Sequence, residues 1–333
     1  MIEGSQTIPM GREAYSSHRL AGERPSETEI GIVILTFRQK EKTLRCLRHL
    51  LPKIDSGPAS RVLLWDNGSG DDTAEAVGAE FPAVRIRTSE TNLGVAGGRN
   101  AAAKEALNLW NPAFLLFLDN DMVVKPGFVA ALHAPFLGTM GQHIGQTQAK
   151  LLLGNDPERL NDGGGCHIQF WLGRTRPVAY GEIDQGQCDT PHQCVCCGGA
   201  MMVRSTLFRQ LKGFDEIFNP FGPEDLDFSL RLQESGWESW YIPEAVAYHD
   251  VSHSFTGGDY TEEYAAYRSR HWLRLMRRHA GLLDWLRFVF IGMPIIAARV
   301  MSREVRRGNV GALRGLVRGA LSRDKKKKTK VVE

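Results

Sequence analysis

The run Ala113-Phe114-Leu115-Leu116-Phe117-Leu118, closed by Asp119-Asn120-Asp121, constrains this chain more than any other segment. An unbroken apolar run of this length, ended by acids, reads as a buried strand whose last residues emerge at a sheet edge. Two carboxylates one residue apart at a strand end can both reach one hard divalent cation. Mg²⁺ takes one or two protein carboxylates and leaves its remaining positions to water and substrate phosphates. The segment therefore points to an enzyme that grips a diphosphate through a metal. D-x-D triplets also occur in plain surface turns, so the rest of the chain has to carry the case.

Strand and helix patterns alternate on either side of this run. Ile30 to Thr36 is β-branched and apolar. Glu41 to Leu51 is helical, with Leu44, Leu47, Leu50 and Leu51 on one face. Arg61 to Trp65 reads as a strand, Thr73 to Phe81 as a helix, Val84 to Arg87 as a short strand and Gly97 to Trp110 as a helix. This alternation with short connections predicts an α/β fold: a mostly parallel central sheet flanked by helices. Such sheets bind ligands beyond the carboxyl ends of their strands.

Several constellations sit at those ends. Asp66 closes the second strand, where a carboxylate can accept from a nucleobase N–H or a ribose hydroxyl, and Asn67-Gly68 forces a tight turn. A turn followed by a helix cap at Asp72 or Thr73 accounts for the same residues without a ligand. Asn92-Leu93-Gly94-Val95-Ala96-Gly97-Gly98-Arg99-Asn100 is a glycine-rich loop opening a helix. It offers close backbone approach and free N–H groups, with Arg99 available for a phosphate; close helix-on-strand packing is the alternative. It carries neither a G-K-[ST] nor a G-x-G-x-x-G pattern. Glu224 and Asp225 follow Pro223 at a helix start, with Phe228 and Leu232 on the face below Glu224, Ser229 below Asp225, and Arg231 placed to orient the cluster. They read either as helix-start acids favoured by the dipole or as a positioned general base. Tyr241 to His249 is a further strand, and His249 at its end is a candidate third metal ligand, with His253 a weaker one.

The chain has 333 residues, 42% hydrophobic and 24% charged, ordinary for a globular protein. Six cysteines include Cys188, Cys194, Cys196 and Cys197 within ten residues, a spacing that fits zinc poorly and buried free thiols in a reducing cytosol better. Residues 1–28 lack an apolar h-region and read as a flexible tail. Residues 281–333 hold 13 Lys and Arg against 4 Asp and Glu, whereas the remainder holds 28 against 34. The apolar stretch from Trp285 to Ile296 is interrupted by Arg287 and Pro294 and falls short of the ~20 apolar residues of a spanning helix. A basic amphipathic helix lying in a membrane surface, with Lys325-Lys326-Lys327-Lys328 as its polybasic end, fits better; packing on the body or on a second subunit is the alternative. Nucleic acid is excluded as a partner, because the basic excess sits in one tail without interleaved aromatics.

Taken in order, Ile32-Val33-Ile34-Leu35-Thr36-Phe37, Asp66-Asn67-Gly68-Ser69, Asn92-Leu93-Gly94 with Gly97-Gly98-Arg99-Asn100, Asp119-Asn120-Asp121, Pro223 to Asp227 with Arg231, and Pro243 to His249 resemble the family-2 glycosyltransferases, the bacterial rhamnosyltransferase-like members most of all. The resemblance covers residues 30–275. It implies a GT-A fold over residues 29–280 with a C-terminal helical extension. It also implies an inverting transfer from a dTDP-, UDP- or GDP-linked sugar, with Mg²⁺ or Mn²⁺, and the basic tail makes a membrane-proximal saccharide or lipid-linked glycan the expected acceptor. By position, Thr36 and Phe37 line the nucleotide pocket and Asp66 holds the base or ribose. Asn67, Asn92, Gly94, Gly97, Arg99, Asn100 and Asn120 complete the donor site. Asp119, Asp121 and His249 hold the metal, and Asp225 is the base supported by Glu224. The expected location is cytoplasmic, at the inner face of the membrane. Gln39-Lys40 and the Cys194–Cys197 cluster depart from the family pattern. A nucleotidyltransferase would carry a glycine-rich basic loop directly after the first strand, where this chain reads Arg38-Gln39-Lys40. A non-catalytic sugar-binding protein on the same fold would have lost the metal site or the Glu224-Asp225 pair, and neither is broken.

Overall fold

The computed structural model describes residues 30–54, 57–196, 199–250 and 261–322. The expected N-terminal tail, Cys197, His253 and the run Lys325 to Lys328 lie outside the described residues. The first half alternates as the sequence predicts: β1 (Ile30–Thr36), α1 (Lys40–Ile54), β2 (Ser60–Asp66), α2 (Thr73–Glu80), β3 (Arg85–Thr88), α3 (Gly94–Trp110), β4 (Phe114–Asp119) and β5 (Met122–Val124). α4 (Phe128–His133) leads to β6 (Ile144–Leu153), β7 (Asp156–Asp162), β8 (Cys166–Gln169), β9 (Arg174–Pro177), β10 (His192–Gln193) and β11 (Ala200–Arg204). α5 (Ser205–Gln210), α6 (Glu224–Glu234), β12 (Glu238–His249) and α7 (Glu262–His279) follow. The chain ends in α8 (Leu282–Arg287), α9 (Met293–Arg306) and α10 (Val310–Leu321).

The main sheet runs β10-β12-β6-β11-β4-β1-β2-β3. The four strands β3, β2, β1 and β4 are parallel. β11 is antiparallel to both β4 and β6, so the second half is mixed, although β6 and β12 again run parallel. The period of two along β1 assigns its faces. Ile32 and Ile34 pack with Leu44, Leu47 and Leu50 of α1 in one core layer, and Val33 packs with Ala102, Ala103 and Ala106 of α3 in the other. Each fully buried leucine or isoleucine contributes about 1.5–3 kcal/mol. The small alanines let α3 lie close to the sheet, which brings the glycine-rich loop to the carboxyl ends of β1, β2 and β4.

α7 is held to α6 by charge. Asp227 is fully buried, and its carboxylate accepts from Arg231 Nε at 2.8 Å, Arg278 Nη1 at 2.6 Å and His279 Nε2 at 3.0 Å. Arg231 also donates to the carbonyls of Leu211 and Gly213, so it orients Asp227 and the 211–213 turn rather than Glu224 and Asp225 as the sequence suggests. The reason is helical spacing, which sets Asp227 four residues before Arg231. Burial lowers the His279 pKa, but its hydrogen bonds to Asp227 and Glu234 outweigh that, and the net shift is upward. A histidine with a raised folded pKa is protonated more in the native than in the unfolded chain. Its contribution is complete below the unfolded value of ~6.5 and is lost as pH rises through the folded value. The melting temperature is therefore expected to fall between pH 6 and pH 8, and to fall less in His279→Gln, as differential scanning fluorimetry would read.

The C-terminal region departs from expectation in one respect. Arg287 and Pro294 do not interrupt it. A π-type turn at Phe288–Gly292, in which Met293 N–H bonds to Phe288 C=O, joins α8 to α9 and accommodates the missing donor of Pro294. The helix is continuous over Leu282–Glu304, with a mean hydropathy of 1.4 in its apolar window. By length and composition alone that is enough to cross a membrane, and only 11% of the window is buried against the protein. α10 folds back on α7, where Gly315 and Gly319 lie directly against the Glu262 and Ala266 carbonyls.

Candidate active site

β4 delivers Asp119 and Asp121 to the carboxyl edge of the sheet, and β12 delivers His249 to the same point by pairing antiparallel with β5, His249 opposite Met122. His249 Nε2 lies 3.5 Å from Asp121 Oδ1. Its other ring nitrogen, Nδ1, is 3.0 Å from Asn161 Oδ1, which fixes the ring with Nε2 toward the acids. Burial lowers the His249 pKa, the Asp121 and Asp119 carboxylates raise it more, and the net direction is up. One ligand atom from each of Asp119, Asp121 and His249 lies within 4.8 Å of the others. Groups this close could all reach one divalent cation, which would take its remaining ligands from water and phosphate oxygens. Two carboxylates, an imidazole and an outer hydrogen bond to that imidazole are a donor set that fits Mg²⁺ or Mn²⁺.

Gly199 explains how Asp119 is seated. Its carbonyl accepts from Asp119 N–H at 2.7 Å, and a Cβ on it would overlap the Asp119 carboxylate. Arg99 is buried and uses both arms, Nη2 to Asp119 Oδ1 at 2.6 Å and Nη1 to Glu224 Oε1 at 3.1 Å. It thereby links the Asp119-Asp121-His249 cluster to the start of α6. Burial pushes the Glu224 carboxyl pKa up, the Asp225 charge adds to this, and Arg99 opposes it. Glu224 is turned inward, whereas Asp225, the next residue, lines an open cavity of about 380 Å³. One acid of the pair thus faces the protein and the other borders the open cavity.

The expected donor residues divide into two kinds. Asp66 is buried and accepts from Ser69 N–H at 2.9 Å, and Phe37 remains partly exposed with the Arg38 guanidinium 5.0 Å from its ring centre. Thr36 is buried. The Asn120 amide donates toward Thr36, Gln39 and Thr43, tying the metal turn to the β1–α1 loop. Asn67 and Asn92 staple the glycine-rich loop to β2, through Asn67 Nδ2 to Asn92 Oδ1 at 3.0 Å and to Gly94 O at 3.1 Å. Gly94 has φ +75° and, with Gly97, leaves room for the side chain of Asn219. Asn100 bonds both backbone groups of Phe214. These residues build the loop on which Arg99 stands. Asn161, the hydrogen-bond partner of the His249 ring, is a residue that sequence reasoning missed. It lies on β7, far from every motif, and no local pattern marks it. The five described cysteines are free thiols, four of them buried.

A parallel α/β half with an Asp-Asp-His cluster at its carboxyl edge and a separate carboxylate on a cavity gives a GT-A-like fold. The chain belongs to the family described as Glycosyltransferase like family 2, whose sequence profile matches residues 26–277. It is 30% identical over 289 residues to the N-acetylglucosaminyl-diphospho-decaprenol L-rhamnosyltransferase of Mycobacterium tuberculosis, covering 82% of this chain and 88% of that one. An N-acetylglucosaminyltransferase of Bradyrhizobium diazoefficiens is 26% identical over 68% of this chain and 45% of its own length. Among solved structures, GalNAc-T7 with UDP, GalNAc and Mn²⁺ superposes with a TM-score of 0.62 at 16% identity, over 86% of this chain and 54% of the longer neighbour. The mannosyltransferase PcManGT of Pyrobaculum calidifontis with GDP-Man and Mn²⁺ gives 0.55 at 12% identity, over 91% and 92%. These likenesses establish the fold and the glycosyltransferase family.

Proposed function

We propose that this chain is an inverting glycosyltransferase that moves a sugar from a nucleotide-diphosphate donor to a hydroxyl of a saccharide carried on a lipid diphosphate. The observation that carries this is the division of labour at α6: Glu224 is locked to Arg99 while Asp225 opens onto the cavity. In a single displacement the acceptor oxygen forms its bond to the anomeric carbon as the bond from that carbon to the diphosphate oxygen breaks. The hydroxyl proton passes to Asp225. A base in this position contributes typically ~10²–10⁴ in rate. A divalent cation held by Asp119, Asp121 and His249 would neutralise charge gathering on the leaving diphosphate. Arg99 fixes the distance between the two centres by holding one acid of each. Asp66 and Phe37, at the ends of β2 and β1, take the nucleoside side of the donor.

The relative from M. tuberculosis is named for an acceptor built on a diphospho-decaprenol and for L-rhamnose as the sugar moved, which supports a deoxyhexose donor and a lipid-linked acceptor here. The test is mass spectrometry of the chain incubated with Mn²⁺, N-acetylglucosaminyl-diphospho-farnesol and dTDP-, UDP- and GDP-sugars. An added hexose or deoxyhexose with inverted configuration supports the reading; no product from any donor counts against it. The exposed apolar side of α8 and α9, with Arg299, Arg303 and Arg306 on α9 and Arg307 just beyond it, supports contact with an anionic membrane face at the cytoplasmic side. Co-sedimentation with phosphatidylglycerol vesicles that weakens with salt is the expected result. A salt-indifferent dimer without vesicle binding would instead assign this face to a second copy.

A further inference from the structure

We infer that Cys194 and Cys196 form a reversible thiol–disulfide couple that governs the seating of α6, and through it the position of Asp225; the link to transfer rests on the reading of Asp225 given above. The two Sγ atoms are 3.9 Å apart. Both residues are free thiols, Cys194 partly exposed and Cys196 fully buried. A closure of roughly 1.9 Å brings the sulfurs to the ~2.05 Å of a disulfide. An accessible thiol beside a sheltered one is the arrangement of a reacting cysteine and its resolving partner. Burial pushes the Cys196 thiol up, which keeps it from reacting before its neighbour does.

The segment that carries the pair is bonded to α6 twice. Cys196 N–H donates to Ser229 Oγ at 3.0 Å, and Gln233 Nε2 donates to the Cys194 carbonyl at 2.8 Å. Ser229 is fully buried and donates in turn to Gln146 Oε1 at 2.8 Å. On its other side the segment is fixed to the sheet and the β8 strand: Cys194 N–H bonds the Ser239 carbonyl at 2.9 Å, and the Val195 carbonyl accepts from Cys166 N–H at 3.3 Å. A disulfide between these cysteines closes a small ring through the Val195 backbone. That ring contains the two peptide units that carry the Cys194 carbonyl and the Cys196 N–H. Its closure therefore reorients the two groups that hold α6. Ser229 and Gln233 stand one and two turns beyond Asp225 on the same helix, so their release loosens the helix that presents Asp225 to the cavity.

The oxidant is a low-molecular-weight disulfide. Cys194 releases its proton to water and attacks one sulfur of that disulfide as the thiolate; the S–S bond breaks, and the departing thiolate takes a proton from water. Cys196 Sγ then attacks the Cys194 sulfur of the mixed disulfide and expels the second small thiolate, which takes up the Cys196 proton. Two protein thiols are oxidised to one disulfide, and one small disulfide is reduced to two thiols. Thiol reductant reverses the step readily, because a disulfide that closes against hydrogen bonds satisfied in the reduced form is strained. Under reducing conditions α6 is seated; an oxidising shift releases it.

The test treats the full chain with glutathione disulfide and follows peptide mass, amide hydrogen exchange and sugar transfer. The wild type and Cys197→Ser are both expected to lose two hydrogen atoms in mass, with the new link mapped between Cys194 and Cys196. Cys196→Ala should stop at one glutathione adduct on Cys194, and Cys194→Ser should form no link. In the oxidised wild type the α6 amides from Ser229 to Gln233 should exchange about tenfold faster and transfer should fall by a similar factor, with dithiothreitol restoring both. No link between Cys194 and Cys196, a link that vanishes in Cys197→Ser, or α6 exchange and transfer that ignore the link overturns the proposal. Mass and exchange are read on the wild type without substrate, so the outcome does not depend on how the variants fold. A chain that links and loosens as expected, yet moves no sugar from any donor when reduced, overturns the transferase reading and leaves the couple standing.

Discussion

Asp225→Asn is expected to lower sugar transfer by about 10²–10⁴-fold while leaving nucleotide binding within a factor of two, because the change removes a proton acceptor and little else. The side chain keeps its shape and its place at the start of α6. Its partner Glu224 stays locked to Arg99, which holds α6 against β4 through Asp119. The neighbouring acid cannot substitute as base, since it is buried and its pKa is driven upward. Steady-state transfer and calorimetric titration with the nucleotide, done on one preparation, separate the two effects. Transfer at the wild-type rate in Asp225→Asn would remove this residue from the chemistry, and loss of nucleotide binding would mean that it builds the donor site.

The second large effect is expected at the cage. Asp121→Ala should weaken Mn²⁺-dependent nucleotide binding by more than tenfold, and EDTA should bring the wild type down to the level of the variant. Asp121 is 8% exposed and stands 3.5 Å from His249, so its loss strips the cluster of a nearly buried carboxylate. The direction of the His249 shift supplies a check. Asp121 and Asp119 hold its pKa up, whereas a metal ligand must be neutral. Metal affinity should therefore fall as pH drops through the histidine's titration, and Mn²⁺ titrations at pH 6 and pH 8 would show it. Nucleotide binding that ignores EDTA and survives Asp121→Ala would sink the metal role.

Much of the donor half was legible because its signals are local. An apolar strand ending in acids, a glycine-rich helix start and a proline ahead of paired acids each arise within a few residues, and each stands where the pattern puts it. Individual roles were less legible. Asn67, Asn92, Gly94, Gly97, Asn100 and Asn120 carry the composition of a binding loop, yet their side chains and spacing mostly join β1, β2 and α3 to one another. Arg231 looked like a partner of Asp225 and instead serves Asp227. The asparagine roles are decided by hydrogen bonds formed across tens of residues or more, which leave no periodic trace, whereas the Arg231 pair follows from its four-residue spacing on one helix. The 162–196 region and α7 were the least legible, since a hairpin and a helix of mixed composition show no motif at all.

What the chain dictates on its own is its alternation of strand and helix, the acids at the tip of β4 and the basic, apolar character of its last fifty residues. These follow from side-chain burial and backbone geometry over short spans. What only the folded molecule decides is partnership. Pairing of β12 with β5 carries His249 to Asp121, one guanidinium ties two acids 105 residues apart in sequence, and α7 faces a hairpin that no spacing links to it. Contacts of that kind depend on where a closed sheet and its covering helices come together in three dimensions, a property of packing that no local stretch of residues contains.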